Sequence, residues 1–351
     1  MLQKDIEKII EAGIQAPSGE NSQPWRFDVR DRTITLFNCP ERDQSIYNWK
    51  QNGSYLAHGA CIENMSIVAE TLGYQLQVNL FPHPENPECV AELLLEDKAP
   101  FAHPLAPCIS ERSTNRKVYE SNVLSSEEMG TLQSVQGSGV EVSLVSEPLQ
   151  MKTIAEAVAV GDRVLFENRS LHDFFFDHIS WTHKEDDQKK SGFFIDTLEL
   201  PPEAKKGFPL FKYWPFARFL GVVGVTKKIA KQNESIYSSG SALAVLTAPS
   251  RSPHDFVSVG RITERLWLTA TKLGLQCQPM TAVLFFSHRI AGGEGEVFSS
   301  AHTGLIKNAY QTFSKWGSKN GAILMILRVG RSSPPSARSL RFPLSHFITL
   351  K

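Results

Sequence analysis

No apolar run in this chain is long enough to span a bilayer. The nearest, GFPLFKYWPFARFLGVVGV over 207–225, is interrupted by Lys212, Arg218 and two prolines. A spanning helix needs about 20 nearly unbroken apolar residues, so stable membrane insertion is not expected. Neither charge is in excess: 37 Lys+Arg balance 37 Asp+Glu. No global field draws nucleic acid or acidic lipid, and no local patch of convincing size stands out. Cysteine is sparse. Cys39, Cys61, Cys89, Cys108 and Cys277 are scattered, odd in number and without a C-x-x-C pair, the habit of buried thiols in a reducing compartment. The opening MLQKDIEKIIEAGIQ spreads its charges and lacks the apolar core and cleavage site of an export signal. These absences predict a soluble, cytoplasmic protein. Metal ligands are also missing: His178 and His183 are five apart, wrong for one helix face, with no acidic partner placed. GGEGE (292–296) lacks the flanking strand and helix of a dinucleotide fingerprint.

What the chain does contain is a repeat. Residues 59–77, GACIENMSIVAETLGYQLQ, return at 260–278 as GRITERLWLTATKLGLQCQ. Gly59/Gly260, Glu63/Glu264, Ala69/Ala270, Leu72/Leu273, Gly73/Gly274, Gln75/Gln276 and Gln77/Gln278 match. Each copy reads as a buried helix stopped by glycine, whose left-handed conformation carries no Cβ strain. Two related halves are expected, divided at the proline-broken stretch Pro100–Pro107 into 1–105 and 106–351.

Along the chain, Ile6, Ile9, Ile10 and Ile14 line one side of an opening helix that ends before Pro17. RFDV and TITLF predict a hairpin turning at Arg30–Arg32, and VAELLL (90–95) a strand. Ser125 and Glu128 form a capping box. VEVSLV (140–145) alternates as a strand, 150–167 is helical, and ALAVLT (242–247) and AILMILRV (322–329) suit central strands. Residues 168–238 have no counterpart in the first half and read as an insertion. It carries an aromatic knot (Phe174, Phe175, Phe176, Trp181), a charged run (Lys184–Lys190) and a second aromatic cluster at Phe208–Phe219. The mixture argues for an α+β fold.

Three segments carry chemistry. APSGENSQPWRF (16–27) stops a helix at proline, exposes a short polar loop and anchors the next strand with Trp25. RSTNR (112–116), read as opening a helical segment, flanks small hydroxylic residues with two arginines and suits a phosphate. LGLQCQPMTAV (273–283) follows the second repeat helix directly.

The first segment resembles the A-P-S-x-x-N-x-Q-P-W hallmark of the FMN-dependent nitroreductase superfamily. That resemblance implies a nitroreductase-like fold and a loop, Pro17, Ser18, Glu20 and Asn21, presented to the isoalloxazine ring. By the same resemblance Arg112, Ser113 and Arg116 hold the FMN phosphate, and Pro279, Met280, Thr281 and Ala282 bring backbone N–H groups to the flavin N5. Arg341 matches the family's C-terminal phosphate clamp, with Arg338 as a helper. Two departures stand out: Thr281 replaces an acidic residue common in the family, and Ala282 replaces a glycine. The phosphate arginines and the N5 turn fall in the second half, and the Q-P-W loop in the first. The halves therefore resemble a fused, intrachain pseudo-dimer with one flavin site kept, as in the Acg-type branch.

The expected activity is an FMN-dependent NAD(P)H oxidoreductase passing hydride through flavin N5 to an electron-poor small molecule, a nitroaromatic or a quinone. The cofactor carries the chemistry, so no catalytic acid or base is named. The alternative is an FMN-storage or sequestering protein, with Phe174–Trp181 and Phe208–Phe219 folded over the flavin as a closed lid. A third reading makes 208–219 a partner- or membrane-docking surface. Further self-association stays open.

Overall fold

The computed structural model describes residues 2–137, 139–318 and 321–350; the outer limits of the two expected halves, Met1 and Lys351, fall outside them. The chain opens with helix α1 (Leu2–Gly13), which buries Ile6, Ile9 and Ile10. It ends three residues earlier than expected, and the Ala16 N–H closes a turn onto the Gly13 carbonyl. The hairpin follows as β1 (Trp25–Arg30) and β2 (Thr33–Asn38). Asp31 takes the left-handed turn position at φ 52°. Then come α2 (Asn52–Leu72), β3 (Tyr74–Leu80) and β4 (Cys89–Asp97). Next are α3 (Cys108–Glu111), α4 (Ser126–Gln133), with the Ser125/Glu128 capping box formed, β5 (Glu141–Val145) and α5 (Pro148–Glu167).

The stretch 168–238 is mostly helical: α6 (Arg169–Asp177), β6 (Ile179–Ser180), α7 (His183–Lys189), β7 (Phe193–Phe194), α8 (Pro202–Phe211), α9 (Trp214–Val222) and α10 (Val225–Tyr237). The chain finishes through β8 (Ala242–Ala248), α11 (Pro253–Lys272), β9 (Gln276–Pro279), α12 (Ala282–Ala291), α13 (Ser300–Phe313), β10 (Ala322–Gly330) and β11 (Ile348–Leu350).

Two sheets result. One has the order β11-β1-β2-β4-β3, the other β5-β8-β10-β9. Every residue of β8 and β10 is buried, as expected for central strands covered on both faces. Strand β3 was not legible in advance: YQLQVNL pairs with β4 along the sheet edge and alternates half-buried with exposed residues. The C-terminal β11 crosses to the first sheet and pairs parallel with β1, Phe27 opposite Ile348.

Helices α2 and α11, the two copies of the repeat, cross at the glycines that the repeat aligns. A Cβ on Gly59 would lie 2.0 Å from the Val257 carbonyl oxygen, and one on Gly260 would lie 2.1 Å from that of Leu56. Only glycine allows the backbones so close. All five cysteines are free and buried. No helix among the described residues is long and apolar enough to cross a membrane.

Candidate functional site

A cavity of about 520 Å³ opens beside that crossing, within the usual range for small-molecule sites. Gly53, Leu56, Ala57 and Ala60 of α2 and Gly260, Thr263 and Trp267 of α11 form its helical wall. The segments 15–21, 109–116, 192–197, 279–281 and 337–341 close the rest.

The SGENSQ loop is held in an unusual shape. Glu20, Asn21 and Gln23 have φ of 46°, 54° and 51°, with Ser22 between them at −65°; non-glycine residues adopt the left-handed values only when their surroundings impose them. Asn21 Nδ2 donates to the carbonyls of Lys190 (3.0 Å) and Leu340 (2.9 Å), and Gln23 Nε2 donates to Lys190 (2.7 Å). The Gly192 N–H donates to the Glu20 carbonyl, and the Phe342 N–H to Gln23 Oε1. The loop, the insertion and the C-terminal tail are thus one hydrogen-bonded unit.

Pro17, Ser18, Glu20, Asn21, Arg112, Ser113, Arg116, Pro279, Thr281, Arg338 and Arg341 all line the cavity. Met280 and Ala282 do not. Met280 is buried in the core cluster that holds Val283, Leu284 and Phe286, and its N–H is engaged by the Ile326 carbonyl. Ala282 packs toward α5, where a Cβ on Gly161 would lie 3.0 Å from its own. The open N–H groups are those of the first turn of α12, beyond Thr281, which have no intrahelical acceptor.

The arginines are arranged differently from the expectation. RSTNR does not open a helix: Arg112 caps the end of α3, and Thr114 bridges to Cys277 beside β9. Pairing with that strand edge, not a helix N-terminus, sets its path. Arg112 is buried, its Nη2 donating to the Gln15 carbonyl at 2.8 Å and its guanidinium 4.7 Å over the Trp267 ring. Its Nε lies 3.1 Å from Glu264 Oε1, yet Arg112 Nε and both Glu264 oxygens lack an aligned hydrogen-bond partner. Burial pushes the Glu264 carboxyl up, and Arg112 opposes that shift. Arg338 donates to the Arg112 carbonyl at 2.7 Å. Arg341 is engaged throughout, donating to the carbonyls of Ile14 (2.9 Å), Gln15 (3.1 Å) and Ala16 (3.0 Å) and to Asn21 Oδ1 (2.7 Å). Burial and then Arg112 hold Arg341 down to about 9, Arg338 adding to the effect and Glu264 opposing it.

Arg116 stands apart from this trio. It donates to the Thr197 carbonyl at 3.0 Å and lies 5.6 Å from the Phe193 ring centre. Its charge faces Glu20, whose carboxyl is pushed up to about 8 by burial first and Asp43 second, with Arg116 opposing.

The insertion does wall the cavity, but through Gly192, Phe193 and Thr197. Phe174–Trp181 and Phe208–Phe219 are absent from the lining. Phe176, with Phe175, Trp181, Phe208 and Phe211 around it, packs into a separate aromatic core around Phe166. Glu264, Thr263 and Trp267 were missed as site residues. The available signal was helical spacing, since 260, 263, 264 and 267 share one face of α11. Among the described residues no cluster of His, Cys, Asp or Glu could hold a metal.

No family model matches the chain. It is 23% identical over 350 residues to an uncharacterised protein of Mycobacterium tuberculosis (strain CDC 1551 / Oshkosh), covering 97% of this chain but only 47% of that relative. The chain thus spans about half the length of that relative. A second relative, from strain H37Rv and named "Putative NAD(P)H nitroreductase", is 24% identical over 301 residues, covering 84% of this chain and 81% of its own length. Among solved structures, the FMN-dependent nitroreductase NfnB from Mycobacterium smegmatis in complex with NADPH superposes with a TM-score of 0.36 at 15% identity, over 70% of this chain and 96% of that one.

Proposed function

We infer that this chain, similar to a relative named a putative NAD(P)H nitroreductase, is itself an FMN-binding oxidoreductase of nitroreductase type with a single flavin site. The observation that carries the reading is the unbalanced charge at the cavity. Arg112, Arg338 and Arg341 gather at one wall, where the buried carboxylate is Glu264; burial lowers Arg338 and Arg341, and the Arg112 charge lowers both further. A phosphate group would supply the missing negative charge and accept from the unengaged donors of Arg338, with the Arg112 charge behind them. Arg341 holds the chain beyond α1 in place, and Arg338 is the freer ligand. Ser113, on the same wall, would add a hydroxyl.

Bound there, FMN would supply hydride transfer from a nicotinamide donor to an electron-poor nitroaromatic or quinone. The protein's own contribution is positional. The left-handed 18–23 loop, Thr281 with the first turn of α12, and Phe285 would fix the ring. The Glu20 carboxyl, with no side-chain hydrogen bond among the described residues, would hold a proton near neutral pH.

Halves 1–105 and 106–351 are best read as a fused pseudo-dimer. The close contact of repeat-matched Gly59 and Gly260 supports this. So does the divergence of the matched glutamates. Glu264 meets the cavity arginines, whereas Glu63 is taken by Arg261 (3.1 Å) and Arg265 (2.6 Å), so a second phosphate site has no free counterpart there.

The sequestering reading keeps one specific support: Gly192, Phe193 and Thr197 wall the cavity, and Lys190 and Gly192 hydrogen-bond the 18–23 loop. Anaerobic titration of the FMN-loaded chain with NADH and NADPH separates the two. Bleaching of the flavin absorbance by either donor supports the oxidoreductase. A flavin that only dithionite reduces, until part of 184–220 is deleted, supports sequestration.

A further inference from the structure

We propose that the outer face of α8 and α9 docks the protein on an anionic lipid surface. The insertion is attached through its inner face, where Phe208, Phe211 and Ile229 pack against Phe166, Phe176 and Phe194. Its outer face is apolar as well, and that surplus serves no core. Leu210, Tyr213, Phe219, Val222 and Val223 are exposed, Tyr213 at 68%, Phe219 at 59% and Val222 at 81%. Along α9 the exposed residues Pro215, Arg218, Phe219 and Val222 recur at i, i+3, i+4 and i+7, a single helical stripe. A contiguous exposed apolar surface of this kind marks an interaction site.

Charge selects the partner. In a chain with no net charge, residues 205–228 contain Lys205, Lys206, Lys212, Arg218, Lys227 and Lys228 and no acidic residue. Lys205, Lys206 and Lys212 meet Asp196, Glu203 and Asp177 at the margins. Arg218, Lys227 and Lys228 have no ion-pair partner among the described residues, and all three are exposed. An apolar helical face flanked by basic residues is the pattern of helices that lie in the headgroup plane, apolar side chains in the acyl boundary and cations among lipid phosphates. A protein partner or a second copy would not require so one-sided a charge. None of these outer residues lines the cavity, so the proposal stands independently of flavin binding.

The test is flotation of the full chain with vesicles of phosphatidylcholine plus phosphatidylglycerol, against phosphatidylcholine alone. Flotation with the anionic vesicles only, weakening at high salt, is expected. Each basic residue near such a surface contributes about fivefold in affinity, so R218Q/K227Q/K228Q should bind about a hundredfold more weakly. F219S/V222S should lose binding with flavin content unchanged. Failure to float with either vesicle, or flotation that both variants leave intact, overturns the proposal. So does the finding, by sedimentation velocity, that F219S/V222S converts a dimer to a monomer without any lipid effect. That result would assign the face to self-association.

Discussion

Replacing Arg112 by alanine removes the guanidinium that pairs with the buried Glu264 carboxylate. The side chains of Arg112 and Glu264 are 4% and 0% exposed, with 3.1 Å between Nε and Oε1. Leaving one member of such a pair unpartnered costs about 3–5 kcal/mol. The lost hydrogen bond to Gln15 and the lost stacking on Trp267 add about 1 kcal/mol each. Relief of the repulsion among Arg112, Arg338 and Arg341 works the other way, as does proton uptake by Glu264. A net loss of about 3 kcal/mol near neutral pH is expected. The loss depends on pH with a definite sign. Glu264 already has a raised folded-state pKa, and without Arg112 it rises further. The folded variant then binds more protons than the unfolded chain, so its stability falls as pH increases. Its deficit should be larger at pH 8 than at pH 5. Adding Glu264→Gln should recover most of the difference at pH 8. Urea unfolding followed by tryptophan fluorescence measures each quantity. A deficit below about 1 kcal/mol at pH 8, or no recovery from the second substitution, would refute the charged-pair reasoning.

Arg338→Ala separates ligand binding from folding: with its single hydrogen bond to the Arg112 carbonyl, its loss should lower FMN affinity about tenfold or more with little change in unfolding midpoint. Arg341→Ala should destabilise first, since it unties three carbonyls after α1; normal stability with normal flavin content would contradict that assignment. Glu20, raised from 4.5 to about 8, makes the flavin-free fold lose stability as pH climbs through that window. Glu20→Gln should flatten the slope, leaving the smaller shares of Glu264 and Asp162, and exceed the parent by about 2 kcal/mol above it, a partial share of the roughly 1.4 kcal/mol per pH unit because the carboxyl opens on the cavity. Gly260→Ala puts a Cβ 2.1 Å from the Leu56 carbonyl oxygen and should cost about 3 kcal/mol or more, because helix backbones cannot separate without opening the core.

The repeat glycines, the hairpin, the capping box and the two buried central strands were legible because each has a local cause: a φ requirement, an alternation or a side-chain bond to a neighbouring N–H. The lining residues in the 16–25 and 112–116 segments were legible from motif alone. What the sequence could not disclose depends on long-range packing. Strand β3 exists because β4 offers it an edge, Glu264 reaches Arg112 from 152 positions away, and β11 crosses to the first sheet. The lid expectation failed at Phe176, Phe208 and Phe211 for the same reason: an aromatic run announces burial but not against what, and these rings found Phe166.

The central claim is one flavin site in one chain, and the flavin-to-chain ratio of the purified protein measures it directly. Absorbance near the flavin bands, with heat release of about one FMN per chain, is the predicted result. A chain that carries no flavin and takes up none when FMN is added would contradict the account, and a ratio of about two would contradict its single site.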